Sequence, residues 1–156
     1  MGLESILREF LLFQEMTEEE LIKIAPLLTS AKSILFLPGA SICKKGDAGD
    51  SLYLIKSGKV RVSVAGNGKE IILAELGAGK FFGEMSLLDL APRSANVTAL
   101  ENTEIFIITR ATVAYLIEKE PRIAAKLMLA LCKVLCARIR VLDDRLQAVL
   151  SVSKEQ

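Results

Sequence analysis

The 156-residue sequence predicts a mainly β fold with flanking helices. Its centre is expected to be a double-stranded β-helix, or jelly-roll barrel, with N-terminal helices before it and one long C-terminal helix after it. Three observations predict this. Short strand-like runs divided by glycine- and proline-bearing turns fill residues 31–109. Helical patterning occupies about 1–30 and 111–150 on either side. Between Pro121 and Val149 there is no further glycine or proline to interrupt a helix. A chain of this length is expected to form a single domain, 1–156.

The elements follow in order. Residues 3–13 are apolar at most positions, and Thr17-Glu18-Glu19-Glu20 makes a capping box ahead of Leu21, Ile22, Ile24, Leu27 and Leu28. Pro26 within that pattern predicts a short helix or a break. Strands are expected over 33–37, 41–44, 51–56, 60–64, 70–76 and 96–108, with turns at Pro38-Gly39, Gly46-Asp47, Gly49-Asp50, Ser57-Gly58, Gly66-Asn67-Gly68 and Gly77-Ala78-Gly79. The clearest hairpin joins the period-two strand Lys59-Val60-Arg61-Val62-Ser63-Val64 to the next through residues 65–69. A short helix over 112–119 is ended by Glu120-Pro121, because the residue before proline avoids helical geometry. Pro121 then opens a run to about residue 149, roughly 40 Å at 1.5 Å per residue.

That last helix carries a seam. Met128, Cys132, Leu135, Ile139, Leu142, Leu146 and Val149 recur at alternating spacings of four and three, the stripe of a coiled coil. Cys132, Ile139 and Leu146 take the a positions, and Met128, Leu135, Leu142 and Val149 take d. A β-branched a residue between leucines at d favours a parallel two-stranded pairing. Leu127, Leu129, Leu131 and Val134 widen the apolar arc of the first half, which is expected to pack on the barrel and on a partner at once. Beyond Cys136 the flanks turn charged, and in a parallel pair Arg138 would face Asp143 of the partner subunit. Burial of the stripe in the chain's own core is the alternative; the late narrowing favours a homodimer.

Bulk composition excludes several classes of function. Apolar residues make up 51% of the chain, yet no run approaches the ~18 uninterrupted apolar residues of a membrane span. Mean hydropathy is +0.40, a surplus that a barrel core and a helix interface would absorb. The N-terminus lacks a signal-peptide pattern, and Ile6 stands where a myristoylation motif needs Ser or Thr, so a cytoplasmic protein is expected. Net charge is +1, which gives no drive towards nucleic acid. Three cysteines do not make a disulfide framework. Cys132 and Cys136 lie four apart on one helix, a spacing open to a metal, but buried cysteines acting as small apolar side chains are the simpler reading. At an a position, Cys132 would meet its own counterpart in a dimer, where oxidation could join the two. The sequence contains no histidine, which excludes His-based acid–base catalysis, Ser-His-Asp triads and cupin-type metal sites. A non-enzymatic protein without metal or cofactor is expected.

One segment carries positive chemistry. Phe82-Gly83-Glu84-Met85-Ser86-Leu87-Leu88 is followed by Pro92-Arg93-Ser94-Ala95-Asn96-Val97. Gly83 permits close backbone approach, Glu84 can accept hydrogen bonds from hydroxyls, and Arg93 offers a forked cation for phosphate. A carboxylate and a guanidinium nine positions apart suit a ligand with both sugar and phosphate. A structural ion pair between Glu84 and Arg93, or an Arg93 bound to backbone carbonyls, are the readings without a ligand.

With barrel, cassette and long helix together, the chain resembles the cyclic nucleotide-binding domain family over about residues 13–140. The Gly58 and Gly79 turns also fall where that family has them. The resemblance implies that Arg93 binds the cyclic phosphate, helped by Ser94 and the backbone around Met85, Ser86 and Ala95. It implies that Glu84 takes the ribose hydroxyl beside Gly83, and that Val62, Leu73 and Leu76 wall the base. Asn96 departs from the Thr more usual at its position. Arg138 and Ile139 stand where relatives carry hydroxyl side chains that read the base, so Arg138 could stack on a purine or pair with Asp143 of the partner subunit. Ser94 in place of threonine leans towards cyclic AMP rather than cyclic GMP. Transcription factors of the superfamily continue into a helix-turn-helix, whereas only residues 151–156 follow the helix here. The expected protein is therefore a cyclic nucleotide receptor that signals to an unknown protein partner without reading DNA directly. A ligand-free dimeric scaffold or a fragment of a longer regulator are the alternatives.

Overall fold

The computed structural model describes residues 2–28 and 33–154. Two antiparallel four-stranded sheets face each other, with helices packed outside the first. Strand β1 (Ile34–Phe36), β8 (Thr103–Thr109), β3 (Ser51–Ser57) and β6 (Phe81–Phe82) form one sheet in that order. The other runs β2 (Ser41–Cys43), β7 (Asn96–Ala99), β4 (Lys59–Gly66) and β5 (Lys69–Gly77). This is the mainly β, jelly-roll architecture expected from the strand spacing.

Period-two alternation assigns the faces of the first sheet. Leu52, Leu54, Phe106 and Ile108 point outward into the larger core, which they share with α1 (Leu3–Leu7), α2 (Glu18–Ile24), α4 (Arg110–Lys119) and α5 (Pro121–Lys154). Ile55 and Ile105, with Tyr53 and Ile107 partly buried beside them, point into the roll and meet Cys43, Val60 and Val97 of the second sheet. The inner core is thus built largely from smaller side chains, and it leaves a cavity at one end.

Local signals explain the boundaries. Thr17 Oγ1 accepts from the Glu20 backbone N–H at 3.2 Å, so the cap expected at α2 forms. Pro26 falls in a 3-10 turn over Ala25–Leu27 that ends the helical stretch. The β4–β5 hairpin closes through Asn67 and Gly68, whose φ of 51° and 75° suit a two-residue turn of the mirror-image type.

Three expectations change. The run 96–108 divides into β7 and β8, which lie in different sheets. The chain turns between them at residues 100–102, where Thr103 Oγ1 donates to the Lys59 and Glu101 carbonyls. Strand β6 has two residues and is held by Tyr53 and Leu54 of β3, too short to signal in sequence. Helix α5 extends past residue 149 to Lys154, 34 residues and about 50 Å at 1.5 Å per residue. The change of character placed at about Ala31, and the last two residues of the expected polar tail, lie outside the described residues.

Ile123, Ala124, Leu127 and Leu131 bury the first half of α5 against the body. Lys126 adds an ion pair to Glu20 at 2.9 Å. Beyond Val134 the helix projects from the body, and Ile139, Leu142, Leu146 and Val149 of the seam are each more than half exposed. Cys132 and Cys136 are exposed as well, so the burial expected of these two thiols does not occur against the described body, which the helix is leaving at this point. No helix among the described residues is long and apolar enough to cross a membrane.

Candidate functional site

The cassette folds as a tight turn and a single short helix. Gly83 caps α3 (Glu84–Asp89) in the left-handed region, with φ at 88°. A Cβ there would meet Arg93 Nη1 at 2.6 Å and the Ser51 carbonyl at 2.7 Å, so both backbone and space require glycine. Leu90, at φ 57°, turns the chain out of α3. Its exit is fixed by Arg110, whose Nη1 donates to the Leu87 and Leu88 carbonyls at 2.8 and 2.7 Å. That cation sits on the carbonyl end of the helix, where the helix dipole favours it.

Arg93 is 7% exposed and threaded through a slot. Its Nη1 donates to the Ser51 carbonyl at 3.0 Å and to Gly83 at 3.4 Å, while the guanidinium lies 5.1 Å from the centre of the Tyr53 ring. Tyr53 is in turn stacked on Phe82 at 5.0 Å. Gly49 forms the opposite wall, where any Cβ would overlap the arginine side chain. The Arg93 backbone is pinned on both sides: its N–H donates to Asp47 O at 2.8 Å, and its carbonyl accepts from Gly46 at 2.8 Å. Asn96, the departure from the more usual Thr, accepts from the Lys45 N–H at 2.8 Å and so clamps the same turn. Among the described residues, the guanidinium's hydrogen bonds to backbone run from Nη1 and a further one goes to the Tyr53 hydroxyl, which leaves its remaining donors uncommitted to backbone.

Glu84 is 3% exposed, and its Oε1 is ion-paired to Arg138 of α5. The Glu84–Arg93 pair considered from sequence is replaced by this longer-range one. Arg138 also lies 6.0 Å from the Phe81 ring centre. Burial pulls its pKa below the ordinary arginine value. The side chain thus ties the long helix to the cassette.

Between these groups lies a cavity of about 350 Å³. Arg93, Ser94, Ser86 and Glu84 make its polar end, with Gly83 and Ala95 beside them. Val62, Leu76, Phe82 and Val97 make apolar walls, and Met85 and Arg138 stand at the rim. The structure therefore brings together every site residue expected from sequence except Leu73. That residue is the unpaired extra residue of a bulge in β5, since Val62 pairs Ala74 while Ser63 pairs Ile72. Leu73 is 57% exposed, and Ala74 lines the cavity. Among residues the sequence reading missed, Cys43 also lines it. Burial pushes the Cys43 thiol above its ordinary value, only partly offset by the Arg93 charge and a Tyr53 hydrogen bond, so it serves as a neutral wall. Gly49 was legible only as a turn, and Tyr53 and Arg110 carried no signal towards the cassette.

A β-roll that opens one cavity between a buried cation, a buried carboxylate and a helix-borne arginine defines a small-ligand receptor domain. The sequence profile of the cyclic nucleotide-binding domain matches residues 34–120. The chain belongs to that family. It is 43% identical over 110 residues to a cyclic AMP receptor protein of Thermus thermophilus, covering 70% of this chain and 49% of that one. A cAMP-dependent protein kinase regulatory subunit of Colletotrichum orbiculare is 41% identical over 102 residues, covering 65% of this chain and 25% of that one. The chain thus spans half or less of the length of these relatives. Among solved structures, a cyclic nucleotide-binding domain from Methylobacillus flagellatus superposes with a TM-score of 0.80 at 27% identity, over 92% of this chain and 84% of that one.

Proposed function

We propose that the protein is a cytoplasmic, non-enzymatic receptor for cyclic AMP that couples ligand binding to α5 and, through it, to dimer geometry. The observation that carries this reading is the cavity, with Arg93 and Glu84 at one end and Arg138 at its rim. Its volume of about 350 Å³ suits a ligand of mononucleotide size. In this reading Arg93 and Ser94 take the cyclic phosphate. A carboxylate has two acceptor oxygens, so Glu84 can hold Arg138 through Oε1 and receive a ribose hydroxyl on Oε2. The base lies between Val62, Ala74 and Leu76 on one side and the α5 rim on the other. Ser94 leans the choice towards cyclic AMP.

A switch from 1:99 to 99:1 needs ~5.5 kcal/mol of differential affinity. A charged hydrogen bond from Arg93 contributes only about 1.5–3 kcal/mol. The remainder must come from closing α5 over the base. Since the same helix carries the seam Met128, Cys132, Leu135, Ile139, Leu142, Leu146, we propose a parallel homodimer whose geometry follows the ligand and signals to a protein partner.

Titration calorimetry with cyclic AMP and cyclic GMP, on the wild type and on Arg93→Ala, tests the proposal. Cyclic AMP is expected to bind at micromolar concentration or below, and Arg93→Ala to weaken it by at least ~30-fold, the effect of about 2 kcal/mol. Absence of binding by either nucleotide at millimolar concentration sinks it. That outcome with an intact dimer would favour a ligand-free scaffold. One observation points that way: Arg93 already bonds two carbonyls and Glu84 already has Arg138.

A further inference from the structure

A second concave surface lies under the projecting half of α5, on the side that faces the N-terminal segment. Leu11, Val134, Ala137, Val141 and Leu142 form its apolar floor, within a groove of about 540 Å³. Leu11, Val141 and Leu142 are 56%, 48% and 60% exposed, so no described residue covers them fully. Leu11 belongs to a 3-10 turn, Leu11–Phe13, whose other apolar residues, Leu12 and Phe13, are buried. The turn therefore holds Leu11 outward as a fixed wall.

This surface is not the coiled-coil seam. At 100° per residue, Val134 and Val141 point roughly 100–160° away from Leu135, Ile139 and Leu146. Only Leu142 is common to groove and seam. A second copy paired along the seam would cover the Leu142 edge of the groove and leave Val134, Val141 and Leu11, on its far side, open.

Charge indicates what fits there. The polar side chains of the groove are Lys133, Arg138 and Arg145, and no carboxylate lines it. Arg138 is committed to Glu84. Among the described residues Lys133 pairs only with Glu15, at 3.4 Å, between side chains 61% and 75% exposed, which is a weak contact. Arg145 enters no hydrogen bond or ion pair among the described residues. The two available cations thus stand twelve residues apart on one helix, about 18 Å, with the apolar floor between them.

We propose that this groove docks an amphipathic α-helix of a partner protein, apolar on the face that enters and acidic towards both ends. A helix of about twelve residues matches the separation of the cations, and anchors at i, i+3, i+4 and i+7 match the floor. Because Arg138 is a wall of both this groove and the ligand cavity, an occupant here lies one side chain from the cassette. Docking itself does not require the cavity to be filled.

The test is fluorescence anisotropy with two labelled synthetic helical peptides of about 14 residues. Both carry leucine at those four positions; one is flanked by glutamates and the other by lysines. The acidic peptide is expected to bind at least ~10-fold more tightly than the basic one. Val141→Asp should weaken it by at least ~10-fold, and Arg145→Glu should reverse the preference. Leu73→Asp, an exposed aliphatic outside the groove, should change nothing. Circular dichroism checks that each variant is folded. Equal binding of the two peptides overturns the proposal, as does acidic-peptide binding that survives Val141→Asp. It is also overturned if Val141→Asp dissociates a homodimer in sedimentation velocity, because the groove then belongs to a second copy. Binding of dodecanoate in the groove without either peptide would assign it to a free amphiphile instead.

Discussion

The two halves of α5 carry comparable numbers of large aliphatics and are structurally opposite. Residues up to Val134 place Ile123, Ala124, Leu127 and Leu131 under the N-terminal helices and the first sheet, where they are almost completely covered. Residues beyond it carry as many large aliphatics, yet Ile139, Leu142, Leu146, Val149 and Leu150 each remain more than half exposed. Apolar content says that a helix will be covered; it does not say by what. The first half finds its cover in its own chain, and the second is left uncovered by the described residues. Arg138 sits where the two regimes meet, and it is the residue that reaches back to Glu84.

The largest expected effect is on stability and breaks the comparison most directly. Leu127→Ala removes a fully buried side chain and should lower unfolding free energy by about 2–5 kcal/mol. Leu146→Ala, measured on dilute monomer, should stay within about 0.5 kcal/mol of wild type. Denaturant titration of both variants checks this; equal losses would mean that the overhang is part of the monomer's core. Next in size is the seam itself. Ile139→Asp or Leu146→Asp should weaken association by about 2 kcal/mol or more, because each places a charge where an aliphatic would be buried. Sedimentation velocity should show monomer at concentrations where wild type is dimeric. Unchanged dimers would remove the seam from the proposal.

The same contrast separates what the sequence discloses from what it hides. The cassette was legible because Gly83, Glu84 and Arg93 are near neighbours in the chain and their chemistry is local. The stripe on α5 is periodic in the sequence, and the structure leaves its Ile139, Leu142, Leu146 and Val149 exposed. Contacts made across long separations were not legible. Gly49, Tyr53 and Arg110 come from other segments and carry no signature that relates them to Arg93 or to α3. Leu73 shows the limit of alternation: one extra residue in β5 transfers the inward position to Ala74, and nothing in the local pattern marks the bulge. Arg138 was singled out, but with two candidate partners, a base and Asp143 of the partner subunit. The contact formed is a third, because the Arg138 side chain reaches from α5 to the cassette at the rim of the cavity.

That contact gives the third prediction. Arg138→Gln removes the charge opposite a buried carboxylate and shortens the side chain by two atoms, leaving only an amide to hydrogen-bond. Nucleotide affinity should fall by about tenfold, or ~1.4 kcal/mol, since Arg138 is half exposed and its pair with Glu84 is only partly desolvated. Hydrogen exchange should rise in the second half of α5 and remain unchanged around Leu127. If affinity rises instead, Arg138 competes with the ligand for Glu84, and the pair is a latch to be displaced.

The smallest effect belongs to the body-bound half and is read through pH. Burial pushes the Glu20 carboxyl upward, but the hydrogen bond and charge of Lys126, with help from Thr17 and Arg122, hold it below its ordinary value of 4.5. Glu104 is depressed in the same direction by Ser33 and Lys56. A carboxyl depressed in the folded state takes up its proton first in the unfolded chain. The stability it contributes is therefore complete above the unfolded value and is lost as pH falls through the folded one. Thermal unfolding should accordingly be insensitive to these groups between pH 7 and about 5.5, and its midpoint should fall below that. Lys126→Met should reduce the acid-dependent part by removing the partner that holds Glu20 down. Because Glu20 and Lys126 join α2 to the covered half of α5, acid should raise amide exchange around Ile123 and Leu127 before the sheets are affected. An acid response that is the same in Lys126→Met as in wild type would show that this ion pair does not help to hold the helix on the body.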